Sequence, residues 1–114
     1  MKTTALITGA AGGIGFEFAK IASQAEYSLF LIDVNEVALA EKKAELSIMF
    51  PQTDIHIMVC NLAEQGIAEK IHAYILEQQL LVEILFNNAG FGNFGHFMET
   101  DWAKDEAMLN VHMV

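Results

Sequence analysis

The stretch Leu6–Phe18 reads LITGAAGGIGFEF, in which an apolar run enters a cluster of glycines and a second apolar run leaves it. Gly9, Gly13 and Gly15 occupy the glycine positions of a T-G-x-x-x-G-x-G pattern that begins at Thr8. Such a turn between a strand and a helix lets a pyrophosphate approach the backbone and the free N–H groups of the helix N-terminus. The alternative is a turn that only packs the strand against the helix.

Beyond this turn, short apolar runs alternate with longer segments of helical periodicity. The predicted strands are Thr4–Thr8, Tyr27–Asp33, Asp54–Cys60 and Leu81–Asn87. The predicted helices run from Ile14 to about Ala25, from an Asn35 cap to about Met49, from Ala63 to Gln79, and onward from about Thr100. This alternation predicts an α/β fold, a Rossmann-like doubly wound parallel sheet of about four strands in the order 3-2-1-4, with helices on both faces.

The composition fits one domain over residues 1–114 and argues against several classes of protein. Hydrophobic residues make up 54% of the chain, enough for a packed core, and no apolar run is as long as a membrane span. Fifteen Asp and Glu face six Lys and no Arg, for a net charge of −9, which disfavours nucleic-acid binding. An anionic ligand would therefore have to be held by backbone N–H groups. No targeting segment is recognised, so a cytoplasmic location is expected.

Asp33 ends the second predicted strand, where a dinucleotide-binding fold places a carboxylate that accepts hydrogen bonds from the adenine ribose. The same carboxylate would repel the 2′-phosphate of NADP, by about 1 kcal/mol per charge in water and about 4 kcal/mol at an intermediate dielectric, for charges about 4 Å apart. Because no Arg offsets that repulsion, we expect NAD(H) to be preferred over NADP(H). The alternative is a loop carboxylate that only caps the next helix.

Four segments, in order, resemble the signatures of the short-chain dehydrogenase/reductase family. They are TGAAGGIG (8–15), CNLAE (60–64), NNAG (87–90) and MLNVHMV (108–114). The resemblance spans the chain and implies an NAD(P)-binding Rossmann fold, with hydride transfer between a nicotinamide and a carbonyl or alcohol carbon. It implies cofactor binding by Thr8, Gly9, Gly13, Ile14, Gly15, Asp33, Asn61, Leu62, Asn87, Ala89 and Gly90.

The resemblance also implies a proton-relay role for Asn110 in the last predicted helix. Read by themselves, NNAG fits a simple strand-ending turn, and an Asn in a helix is more often a solvated surface residue. Asn110 is the one residue of the family's catalytic set that this sequence matches.

The family's other catalytic residues are a Ser, a Tyr and a Lys four positions after the Tyr. The two tyrosines here, Tyr27 and Tyr74, are followed four positions later by Leu31 and Gln78. The sequence therefore matches the N-terminal half of the family's domain, and we expect this chain alone to be inactive. Three hypotheses stay open: an NAD-dependent oxidoreductase completed by a partner chain, a non-catalytic dinucleotide-binding module, and an inactive remnant of a disrupted gene.

Other candidate residues do not supply the missing chemistry. The histidines lack metal-ligand spacing, so no metal site is predicted. They are His56, His72, His96 and His112. Cys60 is the single cysteine and is expected to be a buried, unreactive thiol. The loop after the fourth strand contains three phenylalanines, Phe91, Phe94 and Phe97. They could line an apolar substrate site, or they could be surface that the missing half of the domain would cover.

We expect the fourth strand, Leu81–Asn87, to form an exposed apolar sheet edge, because the strands that would normally lie beside it in the doubly wound order are missing from the sequence. A chain of this length also buries a smaller fraction of its surface than a full-length domain does. We therefore expect marginal stability, with self-association or a partner chain at this edge.

Overall fold

A computed structural model of the chain describes residues 3–88 and the backbone of residues 109–111. The strands in these ranges are β1 (Thr3–Thr8), β2 (Ser28–Asp33), β3 (Ile55–Val59), β4 (Leu81–Asn87) and β5 (Leu109–Val111). The helices are α1 (Gly13–Gln24), α2 (Glu36–Met49) and α3 (Ile67–Glu77). All strand pairs are parallel, in the order β3-β2-β1-β4-β5. The predicted doubly wound α/β fold and its 3-2-1-4 order are confirmed.

The sheet is covered on two faces by apolar layers, which explains why its central strands are almost continuously hydrophobic. One layer combines alternate residues of β1 and β2 with residues of α1 and α2, such as Ala19 and Leu39. The other layer places α3 against the remaining strand residues. Ile67, Ile71 and Ile75, spaced at successive helical turns, are all buried there, as their spacing predicts.

Local sequence sets the ends of the helices. Asn35 caps α2, and its side-chain oxygen accepts a hydrogen bond from the N–H of Ala38 at 3.0 Å, so the predicted cap is confirmed. The prediction that α3 starts at Ala63 is wrong, because residues 61–66 form turns. Gly66 then adopts a left-handed conformation with φ of 80° just before the helix.

The prediction of a helix through Asn110 is also wrong. Residues 109–111 form β5, which pairs with β4 so that Asn110 lies opposite Leu85. This pairing gives hydrogen-bond partners to the backbone groups at the outer edge of β4. The short apolar pattern of MLNVHMV is compatible with a strand as well as with a helix, so periodicity alone did not distinguish them. The predicted free edge at β4 is therefore wrong over Ile84–Phe86, where β5 covers it.

Several predicted features lie outside the described residues. These are Ala89 and Gly90, the loop with its three phenylalanines and His96, the helix start near Thr100, and His112.

Candidate functional site at the carboxyl ends of the strands

The glycine turn joins β1 to α1, and its glycines are required for different reasons. Gly9 has φ of 63°, a left-handed conformation that other residues rarely adopt. A Cβ atom on Gly15 would lie 2.4 Å from the carbonyl oxygen of Gly9, so this helix residue must be glycine for the turn to close. A Cβ atom on Gly13 would have no neighbour within 4 Å among the described residues. The position of this Cβ atom faces open space.

The N-terminus of α1 is suited to an anionic group. Its N-cap residue, Gly12, provides no side-chain cap, and the first turn contains no acidic residue. The N–H groups of this turn and the positive end of the helix dipole are therefore available to a phosphate. Ile14, in the same turn, is 54% exposed and presents an apolar side chain beside that opening.

Asp33, at the end of β2, connects the glycine turn to the start of α2. One carboxylate oxygen, Oδ2, accepts a hydrogen bond from the N–H of Ala11 at 2.9 Å. The other, Oδ1, accepts one from the N–H of Asn35 at 3.0 Å. Each oxygen keeps lone-pair capacity for a further donor. Asp33 therefore organises the turn itself in addition to offering acceptors to a ligand.

Two side chains at the end of β4, those of Asn87 and Asn88, attach the NNAG segment to the glycine turn. Thr8 Oγ1 donates to Asn87 Oδ1 at 2.9 Å, and both residues are buried. Asn88 Nδ2 donates to the carbonyl of Gly9 at 3.4 Å. These contacts fix the end of β4 relative to the turn, so Thr8 and Asn87 act as buried supports behind the site.

A cavity of about 200 Å³ opens between the carboxyl ends of β1, β2 and β3. It is lined by Gly9, Ile32, Asp33, Val34, Cys60, Asn61 and Leu62. Four predicted cofactor-binding residues meet here, namely Gly9, Asp33, Asn61 and Leu62. Thr8, Gly13, Ile14, Gly15 and Asn87 do not line this cavity; they lie in the adjoining turn and at the end of β4.

The segment after β3 forms the floor of this cavity. Asn61 Oδ1 accepts from the N–H of Ala63 at 2.9 Å, which holds the Asn61 side chain in its turn. No described residue accepts from its amide nitrogen, which could donate to a ligand. The pKa of the Cys60 thiol is raised, first by burial and next by the Glu64 carboxylate, while Lys70 opposes the shift. At neutral pH this thiol is protonated and weakly nucleophilic.

The sequence interpretation missed three residues of the cavity: Ile32, Val34 and Cys60. Cys60 is only half-buried and lines the cavity, whereas the sequence predicted a buried, unreactive thiol. The signal for all three was their position at or just after the ends of β2 and β3, since the ends of parallel strands meet at one edge of the sheet.

Within residues 3–88, no group of three His, Cys, Asp or Glu side chains is placed to hold a metal ion. None of the helices in this range is long and apolar enough to cross a membrane.

A glycine turn and an acidic strand end line one cavity at the carboxyl edge of a doubly wound sheet, and an uncapped helix N-terminus lies beside it. The family model described as short chain dehydrogenase matches residues 3–114. The chain belongs to the short-chain dehydrogenase family.

Individual relatives agree with this membership. The chain is 32% identical over 114 residues to the uncharacterized oxidoreductase YmfI of Bacillus subtilis, covering 99% of this chain and 46% of that protein. It is 35% identical over 101 residues to human 15-hydroxyprostaglandin dehydrogenase [NAD(+)], covering 88% of this chain and 36% of that protein. The chain thus spans less than half of the length of these two relatives.

Solved structures of the family share the fold. YwfH, an NADPH-dependent reductase involved in bacilysin biosynthesis, superposes with a TM-score of 0.86 at 17% identity, over 100% of this chain and 59% of that chain. At this identity, the likeness concerns the fold alone.

Proposed function

We propose that this chain is the NAD(H)-binding portion of a short-chain dehydrogenase that transfers hydride between a nicotinamide and a carbonyl or alcohol carbon. The observation that carries the proposal is the meeting of Gly9, Asp33, Asn61 and Leu62 around one cavity beside an uncapped helix N-terminus. The short-chain dehydrogenase family uses a nicotinamide dinucleotide, and such a cofactor supplies the hydride donor or acceptor when bound.

In this proposal, different residues contact different parts of the dinucleotide. The N–H groups at the start of α1 bind the pyrophosphate, with Gly13 and Ile14 beside it. Asp33 accepts from the adenine ribose, while Asn61 and Leu62 contact the adenine. Asn87, with Ala89 and Gly90, belongs to the wall of the cofactor cleft. Thr8 and Gly15 keep the turn in place through the contacts described above.

The cofactor preference is proposed to be NAD(H). Asp33 is the carboxylate of the cavity, and the next residue, Val34, carries no charge. Lys20, Lys42 and Lys70 are each paired with a glutamate: Glu17, Glu45 and Glu64, respectively. Among the described residues, no Lys lines the cavity, and the sequence contains no Arg, so a 2′-phosphate would meet the Asp33 carboxylate without a positive charge to neutralise it.

Catalysis is proposed to require groups that these 114 residues do not provide, because no Tyr here is followed by Lys four positions later. The proton-relay role of Asn110 stays a prediction, now for a residue whose backbone lies in β5. By itself the chain is expected to bind NADH without oxidising it. This makes a dinucleotide-binding module the second candidate function.

The test is a fluorescence titration of the chain with NADH and with NADPH. We expect NADH to bind more tightly by at least about fivefold, since a repulsion of about 1 kcal/mol corresponds to that factor. Asp33→Asn should bring the two affinities closer together, and Glu36→Gln, which removes a nearby exposed charge outside the cavity, should not. Equal affinities in the original chain would contradict the role of Asp33. Absence of binding to either dinucleotide would contradict the proposed function.

A further inference from the structure

The backbone amides of the glycine turn fall into two sets, which differ in whether the protein itself uses them. The N–H groups of residues 10–12 each donate to an acceptor in the described part of the chain. Those of residues 13–15, at the start of α1, have no acceptor among the described residues. Because a helix leaves its first amides without an intrahelical acceptor, this second set is the one available to an anion.

The first set of amides joins the turn to the end of β2. The N–H of Ala10 donates to the backbone carbonyl of Ile32 at 3.2 Å. The next N–H, that of Ala11, donates to Asp33 Oδ2 at 2.9 Å and has no backbone acceptor among the described residues. The turn is therefore joined to β2 through two consecutive amides, and one of these two bonds depends on a side chain.

The Asp33 carboxylate is itself fixed from a second side. Its Oδ1 atom accepts from the N–H of Asn35, the residue that caps α2, at 3.0 Å. Hydrogen bonds from a backbone N–H to an ionised carboxylate are shorter and stronger than those between neutral groups. The carboxylate thus connects the start of α2 to the glycine turn. We call this connection, from Asn35 through Asp33 to Ala11, the Asp33 bridge.

A ligand can bind to Asp33 without breaking this bridge. Asp33 lines the cavity between the carboxyl ends of β1, β2 and β3, which we call the carboxyl-end cavity. An ionised carboxylate accepts about four hydrogen bonds, and the backbone uses one position on each oxygen. Each oxygen keeps a position for a ribose hydroxyl, so the bond to Ala11 persists when the ribose is bound.

The Asp33 bridge meets the turn close to the unused amides. Since peptide bonds are planar, only the φ and ψ angles of Ala11 and Gly12 separate the N–H of Ala11 from that of Gly13. The N–H of Gly12 turns back to the carbonyl of Gly9 at 3.1 Å, which restricts these angles further. The position of Ala11 therefore determines the direction in which the N–H groups at the start of α1 point.

We propose that Asp33 is a positioning residue for the anionic part of the ligand, in addition to accepting from its ribose. By holding Ala11, it orients the amides that bind the diphosphate. The affinity for a diphosphate therefore depends on Asp33 even when the ligand has no ribose hydroxyl. This inference rests on the proposed function, because it concerns the same dinucleotide site.

The charge of Asp33 and its place in the bridge have opposite effects on a bound anion. A carboxylate near a diphosphate repels it, so removal of the charge alone would strengthen binding. Loss of the bond to Ala11 releases the turn, and the unused amides must then be ordered when the ligand binds, which weakens binding. The sign of the change in affinity therefore distinguishes a positioning residue from a carboxylate that contacts only the ribose.

The test compares ADP with 2′,3′-dideoxy-ADP, which has the same adenine and diphosphate but lacks both ribose hydroxyls. Each is titrated into the ¹⁵N-labelled 114-residue chain and into Asp33→Ala, and the amide resonances of residues 13–15 are followed. We expect Asp33→Ala to bind the dideoxy ligand at least about fivefold more weakly than the original chain does. The loss for ADP should be larger, because its ribose contacts are lost as well. Unchanged or tighter binding of the dideoxy ligand would overturn the proposal.

Matched variants separate the hydrogen bonds of Asp33 from its charge. Asp33→Asn removes the charge but keeps one oxygen that can accept from a backbone N–H, so it should lose less affinity for the dideoxy ligand than Asp33→Ala. Glu36→Ala removes a nearby exposed carboxylate outside the cavity and should not weaken the binding of either ligand. Equal losses in Asp33→Asn and Asp33→Ala, or a similar loss in Glu36→Ala, would contradict the positioning role.

Amide hydrogen exchange in the original chain tests the Asp33 bridge without a variant or a ligand. After correction for sequence, the N–H of Ala11 should exchange at least about tenfold more slowly than that of Gly13, which has no acceptor among the described residues. Equal exchange rates would overturn the inference alone, even if ADP and NADH bind. A chain that binds neither ADP nor NADH would contradict the proposed function and the inference together.

Discussion

At the residue scale, Gly13 and Gly15 belong to one turn, but a side chain at the two positions would meet different surroundings. At Gly15 the limit is set inside the protein, because a Cβ atom would approach the Gly9 carbonyl oxygen to 2.4 Å. At Gly13 the described residues leave open space, so none of them limits a side chain there. The T-G-x-x-x-G-x-G spacing identified both positions, but it could not distinguish packing within the chain from space for a cofactor.

This difference predicts opposite behaviour for two alanine variants. Gly15→Ala should lower the free energy of unfolding by about 1–3 kcal/mol, because the turn must move to accept the methyl group. Gly13→Ala should leave it unchanged or raise it by about 0.4–1 kcal/mol, since alanine loses less backbone entropy on folding. Urea unfolding measures both values.

NADH titration of Gly13→Ala then separates stability from binding. We expect weaker NADH binding by a folded protein, because the added methyl group occupies the approach of the pyrophosphate. Full NADH affinity in this variant would show that the pyrophosphate does not pass close to Gly13.

Cys60 provides a chemical probe of the carboxyl-end cavity. Because burial and Glu64 raise its pKa above the ordinary value of 9.0, the fraction of thiolate at neutral pH is smaller than in a free thiol. Alkylation by iodoacetamide should therefore be slower than for an unfolded peptide containing the same residues, and its rate should still be rising above pH 9. The urea-unfolded chain, in which the shift disappears, is the control.

Bound NADH should slow the alkylation of Cys60 further, because the thiol lines the cavity proposed for the adenine. An alkylation rate equal to that of the peptide would contradict the raised pKa. A rate unaffected by saturating NADH would place the adenine elsewhere.

At the scale of elements, the sequence predicted best where several local signals agree. The bounds of β4 coincide with the predicted Leu81–Asn87, since a short apolar run ends there in Asn residues. α2 begins after its Asn35 cap and ends before Pro51, again as predicted. β5 was missed because its three residues pair with a strand more than twenty positions earlier, and this non-local contact leaves no local periodicity.

The cap of α2 carries a measurable part of the stability. Asn35→Ala removes the acceptor for the N–H of Ala38 and should lower the free energy of unfolding by about 0.5–2 kcal/mol. Asn35→Asp keeps an acceptor at the same place and is the matched control. Urea unfolding of both variants gives the comparison, and an alanine variant as stable as the original chain would contradict the cap.

The Asn35 variants also test how the cap is linked to the site. The backbone N–H of Asn35 donates to Asp33, and this bond survives both substitutions. NADH affinity should therefore change little in Asn35→Ala while the protein remains folded. A large loss of affinity would indicate that the start of α2 positions the Asp33 carboxylate through the Asn35 side chain.

At the scale of the whole molecule, the proposed dinucleotide site lies at one end of the sheet, and the middle of the sheet is an apolar core. β1 and β2 form the centre, β3 lies at one side, and β4 with β5 lies at the other. The sequence predicted the first four strands and their order, because parallel crossovers allow few arrangements. It placed the sheet edge at β4, whereas within the described residues the edge on that side is β5.

The pairing of β5 with β4 predicts the effect of shortening the chain. Ending it after Met108 should remove the backbone partners of Ile84–Phe86 and lower the free energy of unfolding by about 1–3 kcal/mol. The uncovered edge should also increase self-association, measured by light scattering over a range of concentrations. A chain that ends after Val111 keeps β5 and is the matched control. If both shortened chains are equally stable and equally monomeric, β5 does not protect the edge of β4, and the apolar edge expected from the sequence would again have to be covered by other means.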